Sequence, residues 1–450
     1  MSKVLVLTVG GSSEPLITSI KRHKPDYVIF LCSADRVTPV KIPGSHHTVD
    51  GDGLPCREWN KEPQPSIVVR AGLKPGEYEK ILISNIDSLA DCYTSSIQAF
   101  ARAREKYSDP DILVDYTGGT KTMSAGLIAA SLDDSAVQIF LVSGERNDLV
   151  KVRNGTQRVL KSNWNPLLWQ RRLSVIKRLF SQFNYNECLE VIDQTSPDIV
   201  AGSAEDQIIQ VYQSLCLAFS AWDQFDHDGA MRYLEVYSGY LTNEKVFLGE
   251  IIKNKRDYLQ NKEARLRLHL VYDIMRNAER RLLQNKFDDA VGRTYRALEM
   301  LAQICLFFNR VSINTSCVNI EQLPQELHDK YRKLEMVMNA ENPSSEENSG
   351  LKLGLFRSYE LLADLKHPLG KLIMDRKNKL TNLIRLRNES IFAHGLNPID
   401  PGKAREFWEF VVDIIQEFEE LEKIKHNFTR SPQFPRELPE KMIKSIEQSS

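Results

Sequence analysis

The apolar pattern of this chain changes character once, near Pro166, and that change sets most of what the chain can fold into. Before it, short apolar runs alternate with helical stretches. Lys3 to Val9 and Tyr27 to Cys32 are almost wholly apolar, as strands buried on both faces are. Ile112 to Val114, a run that ends at Asp115, and Val137 to Val142 supply two more strands. Between them, Leu16, Ile17 and Ile20 form a helix stripe behind Pro15, which suits a first helical position, and Ser88 to Tyr107 reads as a longer helix. Ile67 to Val69 and Ile81 to Ser84 are apolar runs of undecided type. Residues 35–65 are proline-rich loop, and Leu149 to Leu160 reads as a short hairpin around Asn154-Gly155. Strand–helix alternation over residues 1–160 predicts an α/β, Rossmann-like domain with a parallel sheet. From Pro166 onward the periodicity is helical throughout, which predicts an all-α C-terminal half.

Two glycine turns stand at the carboxyl ends of predicted strands, where doubly wound sheets bind ligands. One is Gly10, Gly11, Ser12, Ser13, Glu14 and Pro15; the other follows Asp115 as Thr117, Gly118, Gly119, Thr120 and Lys121. Glycine lets the backbone approach a ligand, and the free N–H groups of a following helix favour an anion, as does the Lys121 ammonium. A phosphate-bearing ligand fits both turns if their strands are neighbours. The second turn is no Walker loop, because no glycine directly precedes Lys121, and a plain strand–helix turn with a solvated lysine stays open as the alternative. Gly10-Gly11 lacks the spacing of a dinucleotide fingerprint, which argues against a nicotinamide cofactor. Asp50-Gly51-Asp52-Gly53 resembles a fragment of a calcium loop, but position 61 is Lys where a Glu is needed, so it reads as a turn. His46-His47 shows no matching partner cluster and reads as loop surface; no metal site is expected.

Composition adds exclusions. Lys and Arg number 59 against 60 Asp and Glu, so any nucleic-acid footprint has to be local. The seven cysteines are scattered without CxxC spacing, which fits reduced thiols and no disulfide framework. No stretch reaches membrane-spanning length and the N-terminus is no signal peptide, so the expected location is cytoplasmic, without membrane contact.

In the helical half, three pieces begin alike: FNYNECLEVID (183–193), WDQFDHDGAMRYLE (222–235) and NKFDDAVGRTYRALE (285–299). Each reads as the start of an antiparallel helical hairpin, with unequal spacing that excludes a repeat array. Arg280, Arg281, Arg293 and Arg296 are either surface charge or a basic groove. Residues 431–450, with three prolines and many charges, read as a loosely attached polar tail. Lys371 to Gly395 reads as one helix with Leu380, Leu383, Ile384 and Ile391 on an apolar face and Gly395 just past its end. Arg387 and His394 fall on that same face two turns apart, about 10 Å along a straight helix at ~1.5 Å per residue. Such a pair can grip one phosphate. Between 371 and 390, six basic side chains stand against two acidic ones, a net 6 − 2 = +4 that suits a polyanion. A carboxylate partner for Arg387, such as Glu299, with His394 as an ordinary helix-end histidine, is the competing reading.

Both ends of the chain resemble one family. GGSSEP and DYTGGTK are similar to the CARF sensor domain, with Asp115, Thr117 and Lys121 on its second motif. RNESIFAHG resembles the HEPN ribonuclease motif, with Arg387, Asn388 and His394 in place, and FDDAVGRTYRALEMLAQ resembles the first HEPN helices. The pairing is that of CRISPR-associated type III ancillary ribonucleases. The resemblance implies a CARF domain at 1–160, a helical connector at 161–264, a HEPN domain at 265–430 and a tail at 431–450. It further implies a homodimer activated by cyclic oligoadenylate, held by Gly10, Gly11, Ser12, Ser13, Glu14, Asp115, Thr117, Gly118, Gly119, Thr120 and Lys121. Arg387, His394 and Asn388 would then cut single-stranded RNA without a metal or other required cofactor, through the 2′-hydroxyl of the RNA itself, leaving a cyclic phosphate. Some CARF domains also cleave their activator, which Thr117, Thr120 and Lys121 can support. A ligand-sensing regulator whose helical half binds DNA or a protein without cutting is the alternative, as CARF domains also occur there. His367 is a weaker candidate, with a structural role expected.

Overall fold

The computed structural model describes residues 1–36, 42–51, 64–134, 136–144, 156–162, 165–195, 199–260, 266–308, 313–341, 351–391, 393 and 395–449. They form two compact units, residues 1–170 and 171–450.

The first unit runs β1 (Lys3–Thr8), α1 (Glu14–His23), β2 (Tyr27–Ser33), α2 (His46–Asp50), α3 (Ile67–Ala71), β3 (Tyr78–Ile83), α4 (Leu89–Lys106), β4 (Asp111–Asp115), α5 (Lys121–Leu132), β5 (Val137–Ser143) and β6 (Arg158–Lys161). The two undecided apolar runs thus resolve into α3 and β3. The sheet order is β3-β2-β1-β4-β5-β6, with β1 to β5 parallel. β6 pairs antiparallel with β5, so the sheet is parallel except for this edge. Most of the hairpin expected within 149–160, with its Asn154-Gly155 turn, lies outside the described residues; its final residues belong to β6 and pair with β5.

The apolar runs are continuous because helices cover both faces of the sheet. Val4 and Val6 of β1 face Ala99, Phe100 and Leu127 of α4 and α5; Leu5 and Leu7 face Leu16, Ile17 and Ile67 of α1 and α3. All of these side chains are buried, and each Val, Leu, Ile and Phe among them contributes roughly 1.5–3 kcal/mol of transfer free energy. The chain winds outward from β1 through β2 to β3, then returns to the other side of β1 as β4. The strand order reverses between β1 and β4, and a crevice opens there at the carboxyl ends.

The second unit is helical. It holds the greater part of α6 (Asn165–Ser181), then α7 (Tyr185–Thr195), α8 (Ala204–Asp223), α9 (His227–Leu234), α10 (Thr242–Leu259), α11 (His269–Leu283) and α12 (Phe287–Phe307). α13 (His328–Glu341), α14 (Leu355–Asp364), α15 (Pro368–Met374), α16 (Lys377–Asn388), α17 (Pro401–Leu421) and α18 (Glu440–Ser449) complete it.

The three similar pieces are three copies of one turn. Phe183, Phe225 and Asn285 have φ of 61°, 64° and 58°, the left-handed conformation that ends a helix. The next N–H in each reaches back to the same helical carbonyl: Asn184 to Leu179 at 3.0 Å, Asp226 to Ala221 at 2.9 Å and Lys286 to Arg281 at 2.9 Å. A non-glycine residue costs free energy there, and burial of the Phe183 ring offsets it.

α11 carries a buried polar ladder: His269, Asp273, Asn277, Arg280 and Arg281. Asp273 accepts from Trp222 Nε1 at 2.8 Å and meets His227 Nε2 at 2.8 Å. Asn277 donates to the Asp223 carbonyl at 2.9 Å. Arg280 and Arg281 both pair with the Asp223 carboxylate, Arg280 at 2.8 Å. These two arginines are therefore core ion-pair members and not a basic groove. Arg280 also lies over the Phe434 ring at 3.6 Å.

The segment 431–450 is not a loose tail. Phe434, Leu438, Met442 and Ile446 are buried, and Phe434 stacks near Phe219 and Trp222 at 4.8 and 4.9 Å. Met442 and Ile446 share one face of α18, and Phe434 and Leu438 are buried in the stretch just before it, which the prolines and charges between them obscured.

Burial holds the His269 imidazole down at about 4, against the opposing pull of Glu250. An unfolded histidine binds its proton near pH 6.5, so between about 6.5 and 4 the unfolded chain takes up the proton and the folded one does not. Stability is full above pH 6.5 and is lost as pH falls towards 4, on the order of 2 kcal/mol from this group. Thermal melts across that range should slope downward with acid, and His269→Gln should flatten the slope.

Candidate functional site

The two glycine turns lie side by side, because β1 and β4 are neighbours with Leu7 opposite Asp115. Their glycines serve each other as much as any ligand. A Cβ on Gly10 would stand 2.7 Å from the Gly119 nitrogen, and one on Gly118 would stand 2.1 Å from the Thr8 carbonyl oxygen. Gly119 has φ of 77°, which favours glycine. Thr8 Oγ1 donates to the Gly118 carbonyl at 2.8 Å and locks the two turns together.

Asp115 is fully buried and accepts from Ser19 Oγ at 2.6 Å and from the Thr117 N–H at 2.9 Å. Burial pushes its carboxyl up from the usual range, against these donors. The Thr117 hydroxyl also donates to Asp115 and accepts from the Val142 N–H at 2.7 Å, which ties β4 to β5. Asp115 and Thr117 thus shape the turn from beneath. Thr120 caps α5, accepting from the Met123 N–H at 3.2 Å. Lys121 is the first residue of α5, exposed, and among the described residues it forms no ion pair.

On the β1 side, Gly11 and Ser12 are exposed. Arg70 of α3 donates to Ser13 Oγ at 3.0 Å and pairs with Glu14, so Glu14 adds no free negative charge to the crevice. Arg70 was not singled out from the sequence; it follows an apolar run with no motif around it. The N-termini of α1 and α5, the latter with Lys121, stand beyond the carboxyl ends of the neighbouring strands β1 and β4, a placement that favours an anion.

Further along the same carboxyl edge, His46 and His47 belong to the short helix α2 and not to a loop surface without partners. Both meet Asp35, their Nε2 atoms 2.9 and 3.1 Å from its Oδ1. The Gly44 N–H, more than any other contact, holds that carboxyl down at about 2. Residues 52 and 53 of the calcium-like fragment lie outside the described residues.

In the second unit the stretch 371–395 is not one helix. α15 ends at Met374, α16 starts at Lys377, and Arg376 between them pairs with Glu417 of α17 at 2.6 Å. α16 ends at Asn388 because Ser390 folds back, its hydroxyl donating to the Arg387 carbonyl at 2.8 Å. Ala393 and Gly395 both donate to the Ser390 carbonyl, at 3.0 and 3.2 Å. Gly395 is no helix cap; a Cβ there would stand 1.9 Å from the Glu389 carbonyl oxygen, so only glycine closes this loop. Leu380 and Leu383 are buried as expected, whereas Ile391 is exposed. Arg387 and Asn388 stand in the last turn of α16, and His394 lies outside the described residues.

The Arg387 guanidinium lies over the Tyr295 ring of α12 at 4.6 Å and donates to Asn388 Oδ1 at 3.1 Å. Among the described residues it has no carboxylate partner; Glu299 pairs with Arg296 instead. Burial raises the Tyr295 hydroxyl, with Glu299 adding to it, so this ring stays neutral beneath the cation. Tyr295 is a support that spacing cannot reveal, since it comes from a helix some ninety positions earlier in the chain. The +4 balance counted along 371–390 is reduced by acidic residues of α17: Arg376 meets Glu417 and Lys379 meets Glu406 at 3.8 Å. His367 has the structural role expected of it, its Nδ1 accepting from the Leu369 N–H at 3.3 Å at the start of α15.

Comparison with known proteins places these helices. Residues 260–421 match the Csm6 HEPN domain model, and residues 170–270 match the Csm6 6H domain model. The second unit is thus that of a HEPN endoribonuclease. The CRISPR system endoribonuclease Csm6 of Thermus thermophilus is 24% identical over 345 residues, 71% of each chain. A solved structure, Enterococcus italicus Csm6 bound to cyclic hexa-2′-fluoro-hexa-dAMP, matches with a TM-score of 0.58 at 13% identity over 100% of both chains, a likeness of fold. The chain belongs to the Csm6 family of CRISPR endoribonucleases. No helix among the described residues is long and apolar enough to cross a membrane.

Proposed function

We propose that this chain is a cyclic-oligoadenylate-activated ribonuclease that works as a homodimer and cuts single-stranded RNA without a metal. Residues 1–160 act as the sensor, 161–264 as the connector and 265–430 as the nuclease. The observation that carries the reading is Arg387: a guanidinium placed over the Tyr295 ring, with no carboxylate partner among the described residues, is a cation kept for a ligand. A structural arginine in such a place would be paired.

In the reaction, the RNA 2′-oxygen attacks the adjacent phosphorus and the 5′-oxygen of the next nucleotide leaves. His394 takes the 2′-hydroxyl proton, and Arg387 neutralises the charge that builds on the non-bridging oxygens. The 2′-oxygen–phosphorus bond forms as the phosphorus–5′-oxygen bond breaks, and the leaving oxygen takes up a proton. The products are a 2′,3′-cyclic phosphate and a 5′-hydroxyl. Asn388, bonded to Arg387, orients the guanidinium. Two copies of Arg387 and His394, one from each protomer, make the composite site.

The activator spans the crevice between the β1 and β4 turns, with Lys121 and the helix N-termini on its phosphates. The cyclic hexanucleotide analogue on the Enterococcus italicus protein supports a cyclic oligoadenylate here. Lys121→Ala should weaken activator binding by about 10- to 100-fold, the value of one lost charged contact. Titration calorimetry with cyclic hexa-adenylate and tetra-adenylate reads this directly, and equal affinity of the variant would place the ligand elsewhere. The decisive test of function is cleavage of a fluorescent single-stranded RNA in EDTA, with and without each ring. Cutting that depends on a ring and is abolished by a 2′-deoxy substitution at the cleaved nucleotide is expected. Cutting that needs a divalent ion, or that survives the 2′-deoxy substitution, would overturn the mechanism.

A further inference from the structure

The cluster of Asp35, His46 and His47 is not used by the reading above. It stands just beyond the carboxyl end of β2, and one ligand atom from each residue lies within 4.8 Å of the others. We propose that it binds one divalent transition-metal ion of imidazole–carboxylate preference, Zn²⁺ or its like, which staples the chain that follows β2.

The hydrogen bonding is crowded in a way that ligation relieves. Asp35 Oδ1 meets His46 Nε2 at 2.9 Å and His47 Nε2 at 3.1 Å, and it also accepts from the Gly44 N–H at 2.8 Å. One carboxylate oxygen thus faces three nitrogen donors, more than its two lone pairs serve well. Both rings have to carry their proton on Nε2 to sustain this. With an ion among them, each ring moves its proton to Nδ1 and offers the Nε2 lone pair, and no proton is lost overall.

The distances fit. Ligand atoms about 2.1 Å from an ion are about 3.0 Å apart at a right angle and about 3.4 Å apart at a tetrahedral one. The two observed separations match the first value and need only a few tenths of an ångström to reach the second. The rings stand 4.0 Å apart and tilted by 34°, and both Nε2 atoms turn to the same Asp35 oxygen. The side chains keep 19%, 36% and 25% exposure for His46, His47 and Asp35, which leaves room for water to complete the shell. Two imidazoles and a carboxylate suit zinc, cobalt or nickel and not the all-oxygen preference of magnesium or calcium.

The frame is built before any ion arrives. The Ser33 N–H donates to Ser45 Oγ at 2.9 Å and the Ser45 N–H to Ser33 Oγ at 2.7 Å, a reciprocal clasp across the loop. Gly44 passes so close to β2 that a Cβ would stand 2.2 Å from the Ser33 carbonyl oxygen. A backbone bridge between Arg36 and Ile42 closes the loop from the other side. Ligands from the two ends of the loop are thus held together at little ordering cost, as a tight site requires.

The test uses the full chain, freed of metal with EDTA and dialysed. Co²⁺ is followed by its visible absorption and Zn²⁺ by calorimetry, for wild type, His46→Gln and His47→Gln. Glutamine keeps the size and polarity of the side chain, and melts in EDTA check that each variant folds as wild type does. One ion per chain in wild type is expected, with affinity at least about tenfold lower in each variant. Zn²⁺ should also raise the wild-type melting temperature with concentration, and raise it less in the variants. Absence of saturable binding at one ion per chain, or equal affinity in wild type and both variants, overturns the proposal.

Discussion

Arg387→Ala is expected to slow activated RNA cleavage by about 100- to 1,000-fold, the range seen when a preorganised charge stabiliser is removed from a reaction centre. Stability should scarcely change, because Arg387 has no ion pair among the described residues and is only half-buried at the end of α16. Activator affinity should not change at all, since the crevice between β1 and β4 holds none of this machinery. Arg387→Lys should recover little of the lost rate. An ammonium has neither a planar face to stack on a ring nor two parallel donors for one phosphate. Single-turnover cleavage at saturating activator separates these outcomes. A variant that cuts at the wild-type rate, with its fold confirmed by melting, would remove Arg387 from the site.

Asp223→Ala should carry a large stability cost. Asp223 is the shared counter-ion of Arg280 and Arg281, and the Arg280 side chain is 1% exposed. Removing it leaves two buried cations facing each other, a loss of about 3–5 kcal/mol. For a unit of this size that corresponds to a fall of about 10 °C in melting temperature. The double change Asp223→Ala/Arg280→Met should restore part of it, because an apolar side chain needs no counter-ion. If the single variant melts with wild type, the ion pair contributes nothing and the polar ladder of α11 is held by its other contacts.

The fold was legible wherever the signal was local. Continuous apolar runs marked β1, β2, β4 and β5 because helices cover both faces of the sheet. The glycine turn marked where α5 begins, and each of the three similar pieces began at the aromatic or amide residue that takes the left-handed turn or just before it. What the sequence concealed depends on side-chain and backbone partners that periodicity does not encode. The break before Lys377 accompanies the pull of Glu417 on Arg376, some forty positions on. The stop at Asn388 comes from a serine hydroxyl competing for a backbone carbonyl, a choice that helical periodicity does not encode. His46 and His47 were discounted for want of a partner, and the partner was Asp35, across a loop. Of the candidate site, the two glycine turns were readable as positions but not as a pair clamped backbone to backbone. Tyr295 and Arg70 were invisible, because stacking and cross-helix pairing leave no mark on spacing.

The docking of Phe434 on Phe219, Trp222 and Arg280 has a consequence for how the protein is made. Phe219 leaves the ribosome 434 − 219 = 215 residues before its ring partner. At about 5–20 residues per second, that is a wait of roughly 10 to 40 s with an aromatic cluster incomplete and a buried arginine uncovered. The helical unit therefore closes its core only as its last helix is synthesised, whereas the sheet of residues 1–161 has all its strands hundreds of residues earlier. An RNA-cutting unit timed in this way stays unfinished while the message encoding it is still being read.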